Sequence, residues 1–112
     1  MSIHSSTPNI DQSRQVVRYL DEEGKLSEIC PITINDEILI RGYSIMVLTR
    51  HLDERMMTLQ RQGTITFSMM QLGEEACSVG SAAALESADW LYPQYRESGI
   101  LFWRGASPQQ FI

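Results

Sequence analysis

A tyrosine and an arginine stand side by side in residues 93–97, whose sequence is PQYRE. The guanidinium of Arg96 is a permanently charged, forked hydrogen-bond donor, and the phenol of Tyr95 can add one more hydrogen bond. Together, these two groups suit a phosphate. Taken alone, however, the pair is explained more simply by a salt bridge from Arg96 to Glu97 or to another carboxylate.

A short helix precedes this pair and is expected to hold it in place. Glu74 and Glu75 fall in the first turn, where the free backbone N–H groups favour negative charge. Their other interpretation, an acid/base pair, is the less economical one. One face carries only small residues at spacings of four, three and four, which predicts close packing of a second element: Gly73, Cys77, Gly80 and Ala84.

The apolar run 90–92 predicts a short buried strand between that helix and the Tyr-Arg pair. Pro93 ends the strand because proline cannot donate a hydrogen bond to a sheet. Gln94, Tyr95 and Arg96 would then emerge at the carboxyl end of a strand, where open α/β sheets bind their ligands.

The longest helical pattern runs from Asn35 to Gln62. Asn35 can cap its N-terminus, and Gly63 can end it in a left-handed conformation. A single apolar stripe follows 3, 4, 4, 3 spacing: Ile45, Leu48, Leu52, Met56 and Leu59. A helix of about 40 Å is long for this chain, so its stripe is expected to pack on the rest of a larger subunit or on another chain.

A second helical feature is the charged triplet 53–55, Asp-Glu-Arg, which could be a catalytic cluster. A solvated helix face with intrahelical pairing is the simpler interpretation. Before the long helix, the sequence predicts a flexible tail at 1–14 and a hairpin at 15–26 that turns at Gly24. After the helix, it predicts a strand at 63–68.

Composition limits the classes of function. The chain has 112 residues and a net charge of −5, and it lacks the basic patch that a nucleic-acid binder needs. No apolar run approaches the roughly 20 residues of a membrane span, so a cytoplasmic location is the expectation. The two cysteines and two histidines show no metal-ligand spacing, and the thiols are expected to be reduced.

Three blocks of sequence carry a family resemblance: RQGTITF, GEEACSVGSAAAL and QYRESG. Over residues 16–112 the chain resembles the N-terminal part of the α subunit of thiamin diphosphate-dependent 2-oxo acid dehydrogenases, most closely the branched-chain (2-oxoisovalerate) type. The resemblance implies an α+β fragment of an α/β thiamin diphosphate-binding fold, with the long helix, a small helix and short strands, in one truncated domain at 15–112.

The resemblance also assigns residues. It implies that Tyr95 and Arg96, with Gln94 beside them, bind the diphosphate of thiamin diphosphate, and it favours phosphate contact over the salt bridge for Arg96. Phe67 would line the active-site entrance and contact the substrate, with core packing as the alternative. No catalytic residue is expected in this chain, because the cofactor-activating glutamate belongs to the partner β subunit.

The implied reaction is oxidative decarboxylation of a 2-oxo acid, followed by acyl transfer to the lipoyl group of a transacylase. The family's magnesium-holding segment and its histidine-bearing loop are absent, so the chain is expected to be an inactive fragment of a subunit that pairs with a β subunit. Ser107, Pro108 and Gln110 form a helix-start signal two residues before the chain stops, which favours the same expectation.

One alternative belongs to a different class. The chain could be a stand-alone α+β interaction module that self-associates through its long helix and binds no ligand. An exposed apolar stripe is expected in both cases, so self-association alone does not separate them.

Overall fold

The computed structural model describes residues 19–28, 30 and 33–111, which fall into two units that divide after Thr33. In the first unit, Leu20 and Leu26 form an antiparallel bridge, and Gly24 lies between them with φ of 78°. The carboxylate of Asp21 accepts the N–H of Lys25 at 2.7 Å, so the turn predicted at Gly24 is present. The tail predicted at 1–14 and the start of the hairpin lie outside the described residues.

The second unit begins with the long helix α1, Asp36–Arg61. The side-chain oxygen of Asn35 accepts the N–H of Glu37 at 2.7 Å and caps it, as predicted. Gly63 follows the end of the helix with φ of 73°, a conformation that favours glycine. Both ends of α1 therefore agree with the sequence pattern to within a residue.

Two short helices pack against α1 and against each other: α2, Glu75–Ala83, and α3, Ser98–Trp103. A 3₁₀ helix, Pro108–Phe111, follows. The apolar core at the centre of the unit consists of Ile45, Val79 and Phe102. No helix in the described part of the chain is long and apolar enough to span a membrane.

The packing face of α2 differs from the prediction. Cys77, Gly80 and Ala84 of the small-residue stripe are exposed, and the buried face contains Val79. The hydrophobic effect orients the helix by its largest apolar side chain, because small residues have little surface to bury. Close approach occurs instead at Gly99 of α3, where a Cβ atom would lie 2.7 Å from the Ser78 hydroxyl oxygen.

The strands predicted at 63–68 and 90–92 are wrong, since neither segment forms one. Trp90 and Tyr92 are 85% and 84% exposed, and their rings stack at 6.4 Å. A strand needs a hydrogen-bonding neighbour, and the described residues contain only the isolated bridge between Leu20 and Leu26. The described fold is therefore mostly helical, and the α+β architecture with short strands is not shown.

The stripe predicted on α1 is only partly correct. Ile45 is buried, whereas Leu48 is exposed, and the buried line continues through Thr49 and Asp53. The interpretation of 53–55 as a solvated face is accordingly wrong for Asp53, although the next two residues are exposed. This helix therefore contributes a polar as well as an apolar surface to the interior.

The helix-start signal near residue 108 is also visible. The side-chain oxygen of Gln110 accepts the N–H of Ser107 at 2.8 Å, which is the reciprocal half of a capping box. The turn that follows is 3₁₀ over the described residues.

Candidate functional site

The Tyr-Arg pair occupies the centre of a closed turn, residues 94–97. The carbonyl of Gln94 accepts the N–H of Glu97 at 3.3 Å, and the Glu97 carboxylate accepts the N–H of Gln94 at 2.8 Å. Tyr95 is 66% exposed, and the side chain of Arg96 is about half exposed. The turn therefore presents both side chains to solvent from a backbone that is tied at its two ends.

Arg96 is held only loosely. Its Cζ lies 5.5 Å from the centroid of the Tyr95 ring, and its Nη1 lies 3.6 Å from a carboxylate oxygen of Glu74. Both members of this ion pair are well exposed, and such pairs contribute about 0 to 1 kcal/mol. The salt-bridge alternative thus exists with Glu74 rather than Glu97, and it is weak enough for an incoming anion to replace.

A groove of about 320 Å³ lies beside Arg96, between the start of α2 and the start of α3. Cys77 and Ser81, one helical turn apart on α2, line one wall, and Ile100 of α3 also lines it. Because these α2 side chains are small, they leave room next to the guanidinium. Of the predicted small-residue face, Cys77 thus borders a groove instead of a packed interface.

A set of polar side chains supports this region, four of them buried and Arg50 half exposed. We call it the polar joint: Arg50, Asp53, Gln71, Glu75 and Ser98. The Arg50 guanidinium donates to one Glu75 oxygen at 2.8 and 2.7 Å, and the other oxygen accepts the N–H of Gly73 at 2.9 Å. Burial raises the pKa of Glu75, but hydrogen bonds from backbone N–H groups and from Arg50 outweigh it, so this pKa lies below its ordinary value of 4.5.

Asp53 and Gln71 continue the polar joint. Asp53 accepts the backbone N–H of Gln71 at 2.6 Å, and the side-chain nitrogen of Gln71 donates to the hydroxyl of Ser98. Burial raises the pKa of Asp53 and the charge of Glu75 adds to it, whereas the Gln71 N–H and Arg50 act in the opposite direction. No motif in the sequence predicted this network, although the four-residue spacing of Ile45, Thr49 and Asp53 could have indicated it.

The two acidic residues at the start of α2 have separate partners. Glu75 is buried in the polar joint, whereas Glu74 lies at the surface near Arg96. The stabilisation of negative charge at the N-terminus of α2 therefore explains the positions of these two residues only in part. An acid/base pair is not formed, because each carboxylate is engaged by a different arginine.

Phe67 lies on the connection between α1 and α2, a different segment from the 94–97 turn. It is 64% exposed, so the alternative that it fills the core is wrong. The neighbouring Ser68 donates its N–H to the side-chain oxygen of Gln60 at 3.0 Å, which ties this connection to α1. The exposed ring is available for contact with a ligand or another chain.

Candidate metal ligands are dispersed. Within residues 19–28, 30 and 33–111, no group of three His, Cys, Asp or Glu side chains could hold a metal ion. The imidazole of His51 instead lies 3.4 Å from Glu54 one turn along α1.

The 94–97 turn and the groove lie in the part of the chain that matches known proteins. The dehydrogenase E1 component family model matches residues 43–112. The chain is 40% identical over 95 residues to the mitochondrial 2-oxoisovalerate dehydrogenase subunit alpha 2 of Arabidopsis thaliana, covering 84% of this chain and 20% of that protein. It is 48% identical over 73 residues to the 3-methyl-2-oxobutanoate dehydrogenase subunit alpha of Mycobacterium tuberculosis, covering 65% and 20%.

A third relative has a different named substrate. The chain is 39% identical over 95 residues to the pyruvate dehydrogenase E1 component subunit alpha of Mycoplasma genitalium, covering 82% of this chain and 26% of that protein. The chain thus spans about a fifth to a quarter of the length of these relatives. No solved structure matches it significantly. Because the family model matches more than half of the chain, including all of α2, α3 and the 94–97 turn, this protein belongs to the dehydrogenase E1 component family.

Proposed function

We propose that this chain is the N-terminal part of the α subunit of a thiamin diphosphate-dependent 2-oxo acid dehydrogenase of the branched-chain type. The single observation that carries the site is the exposed Tyr95-Arg96 pair on a closed turn beside a groove. Two of the relatives named above are branched-chain enzymes, and one of them has the highest identity of the three. The stand-alone interaction module has less support, because the family match extends over residues 43–112.

The residues present fit one end of the cofactor. A phosphate oxygen could replace the 3.6 Å contact between Arg96 and Glu74 with a shorter charge-assisted hydrogen bond. The Tyr95 hydroxyl is on the same turn and can donate a second one. The small side chains of the groove leave space for the phosphate beside the guanidinium.

When bound, thiamin diphosphate supplies the electron sink for decarboxylation of a 2-oxo acid. In this proposal Tyr95 and Arg96 bind and orient its diphosphate, with Gln94 beside them, and neither side chain takes up a proton or an electron. The hydrogen bonds between Gln94 and Glu97 fix the backbone that carries the two donors, which reduces the backbone freedom lost on binding. Phe67 would contact the 2-oxo acid from the α1–α2 connection.

The partners and the location are part of the same proposal. A β subunit would complete the active site, magnesium would be held outside this chain, and a lipoyl-bearing transacylase would accept the acyl group. The 112-residue chain alone is then expected to be inactive. The proposed location is the cytoplasm, whereas the Arabidopsis relative is named as mitochondrial.

Replacement of Arg96 tests the site. In the full-length subunit assembled with its partner, Arg96→Ala is expected to weaken thiamin diphosphate affinity by about tenfold to a hundredfold, because one charge-assisted hydrogen bond contributes about 1.5 to 3 kcal/mol. Calorimetric titration of the cofactor measures this. Arg55→Ala, which removes an exposed arginine from α1, is the matched control. Equal affinities for wild type and Arg96→Ala would exclude Arg96 from the site.

A further inference from the structure

The 94–97 turn is a self-contained unit. Its two ends are joined by a backbone hydrogen bond and by the Glu97 carboxylate. That carboxylate, although at the N-cap position of α3, makes no capping hydrogen bond to the helix. The turn is therefore closed locally, but its own hydrogen bonds do not decide where it sits relative to the rest of the molecule.

The residue that follows the turn provides the attachment. Ser98 is the first residue of α3, is 9% exposed, and accepts a hydrogen bond from the side-chain nitrogen of Gln71. Gln71 is only 2% exposed, and its own backbone N–H is held by Asp53 of α1. A continuous chain of hydrogen bonds thus runs from α1 through the α1–α2 connection to the start of α3.

The other contacts of this region are of different kinds. The ion pair between Arg96 and Glu74 is exposed and 3.6 Å long. Gly99 packs closely against Ser78 and Val79 of α2, and Phe102 packs in the apolar core four residues into α3. These contacts hold α3 against α2 but are not directional hydrogen bonds. The Gln71 side chain is the buried polar group that joins the segment after Phe67 to the segment after Arg96.

We propose that Gln71 is a positioning residue for the cofactor: through Ser98 it fixes the place of the 94–97 turn, and hence of Tyr95 and Arg96, against the α1–α2 connection that carries Phe67. This inference rests on the function proposed above. Gln71 itself touches neither the cofactor nor the substrate.

The Gln71→Leu variant isolates the hydrogen bond from the Gln71 side chain to Ser98. It keeps the backbone hydrogen bond to Asp53 and a similar side-chain volume, while it removes the donor to Ser98. The side-chain oxygen of Gln71 is buried without a hydrogen-bond partner in the described part of the chain, so losing it relieves an unsatisfied acceptor and limits the cost in stability. Ser98→Ala removes the same bond from its other end and carries the test if Gln71→Leu fails to assemble.

The experiment is a double-mutant cycle in the full-length subunit assembled with its partner, read by calorimetric titration of thiamin diphosphate. Each single variant is expected to weaken affinity by about threefold to tenfold. The double variant is expected to be no weaker than the stronger single effect, because both changes remove one interaction. At saturating cofactor, kcat should return to the wild-type value, which separates a misplaced turn from general damage.

Thr49→Val is the matched control. Its hydroxyl is buried at the same helix interface and has no hydrogen-bond partner among the described residues, so its removal should leave affinity unchanged. Wild-type affinity in both single variants, additive effects in the double variant, or an equal loss in Thr49→Val would each overturn the proposal.

Arg96→Ala separates the role of Gln71 from the proposed cofactor site. If Arg96→Ala weakens binding while Gln71→Leu and Ser98→Ala do not, only the role of Gln71 is rejected. Unchanged affinity in Arg96→Ala would instead reject the proposed site.

Discussion

The polar joint and the exposed loop at residues 86–92 are both held by hydrogen bonds, yet their environments are opposite. In the joint, carboxylates, an amide and a hydroxyl meet inside the helical unit. In the loop, the guanidinium of Arg104 donates to the carbonyls of Ser87 and Glu86 at 2.6 and 2.7 Å, while Trp90 projects into solvent.

From this difference we expect burial, more than side-chain size, to decide how much a residue contributes to stability. When a contact in the loop breaks, water replaces the lost partner. When a contact in the joint breaks, a buried donor or charge is left without one, which costs more. The small polar side chains of the joint are therefore expected to matter more for stability than the large aromatic rings of the loop.

Arg50→Met gives the largest expected effect and tests the joint directly. It leaves the Glu75 carboxylate buried without its cation, with the Gly73 N–H as a remaining donor. Since Arg50 is itself half exposed, we expect a loss of about 2 to 3 kcal/mol in the free energy of unfolding, measured by urea titration of the chain with far-UV circular dichroism. Arg55→Met, exposed on the same helix, should change it by less than about 0.5 kcal/mol. Equal losses in the two variants would remove the contrast between the regions.

Asp53→Asn tests the polar joint through the pH dependence of the free energy of unfolding. The folded state raises the pKa of Asp53 above 3.8 and so binds its proton more tightly than the unfolded chain does. The free energy of unfolding contributed by this group therefore falls as pH rises from 3.8 through the folded-state pKa. Asparagine keeps an acceptor for the Gln71 N–H but does not titrate. The stability of wild type relative to the variant should decrease with rising pH in urea titrations from below pH 3.8 to neutrality.

The stability that Glu75 contributes depends on pH in the opposite direction. The stability of wild type is therefore compared with that of Asp53→Asn at each pH. The lowered pKa of Glu75 contributes stability that is present above 4.5 and is lost as pH falls through the folded-state value. Both proteins retain Glu75, so its contribution largely cancels in the difference. A difference between wild type and Asp53→Asn that does not change with pH would contradict the raised pKa.

Trp90→Ala gives the smallest expected effect. The ring is 85% exposed and touches chiefly the equally exposed Tyr92, so its removal should change the free energy of unfolding of the chain by less than about 0.5 kcal/mol. The same urea titration measures it. A loss above about 1 kcal/mol would show that the loop, despite its exposure, stabilises the helical unit.

Features with local causes were predictable from the sequence. Asn35 caps α1, Gly63 ends it with a positive φ, and Gln110 reaches back to Ser107, because each needs only neighbours a few residues away. The turn that displays Tyr95 and Arg96 is closed by equally local hydrogen bonds, although the strand expected before it is absent. The family also followed from short blocks of sequence, and the match over residues 43–112 confirms it.

Other features depend on contacts between distant segments, and only the tertiary structure decided them. The face of α2 that is buried follows from the position of Val79 against α1 and α3, and the close approach falls at Gly99 rather than on the small-residue stripe. The hydrogen bond from Gln71 to Ser98 spans 27 residues of sequence. Periodicity predicts that a helix has a buried face, but which polar groups meet inside depends on how three helices fill one space. That arrangement is set by the sum of their packing and by the need to pair most buried polar groups.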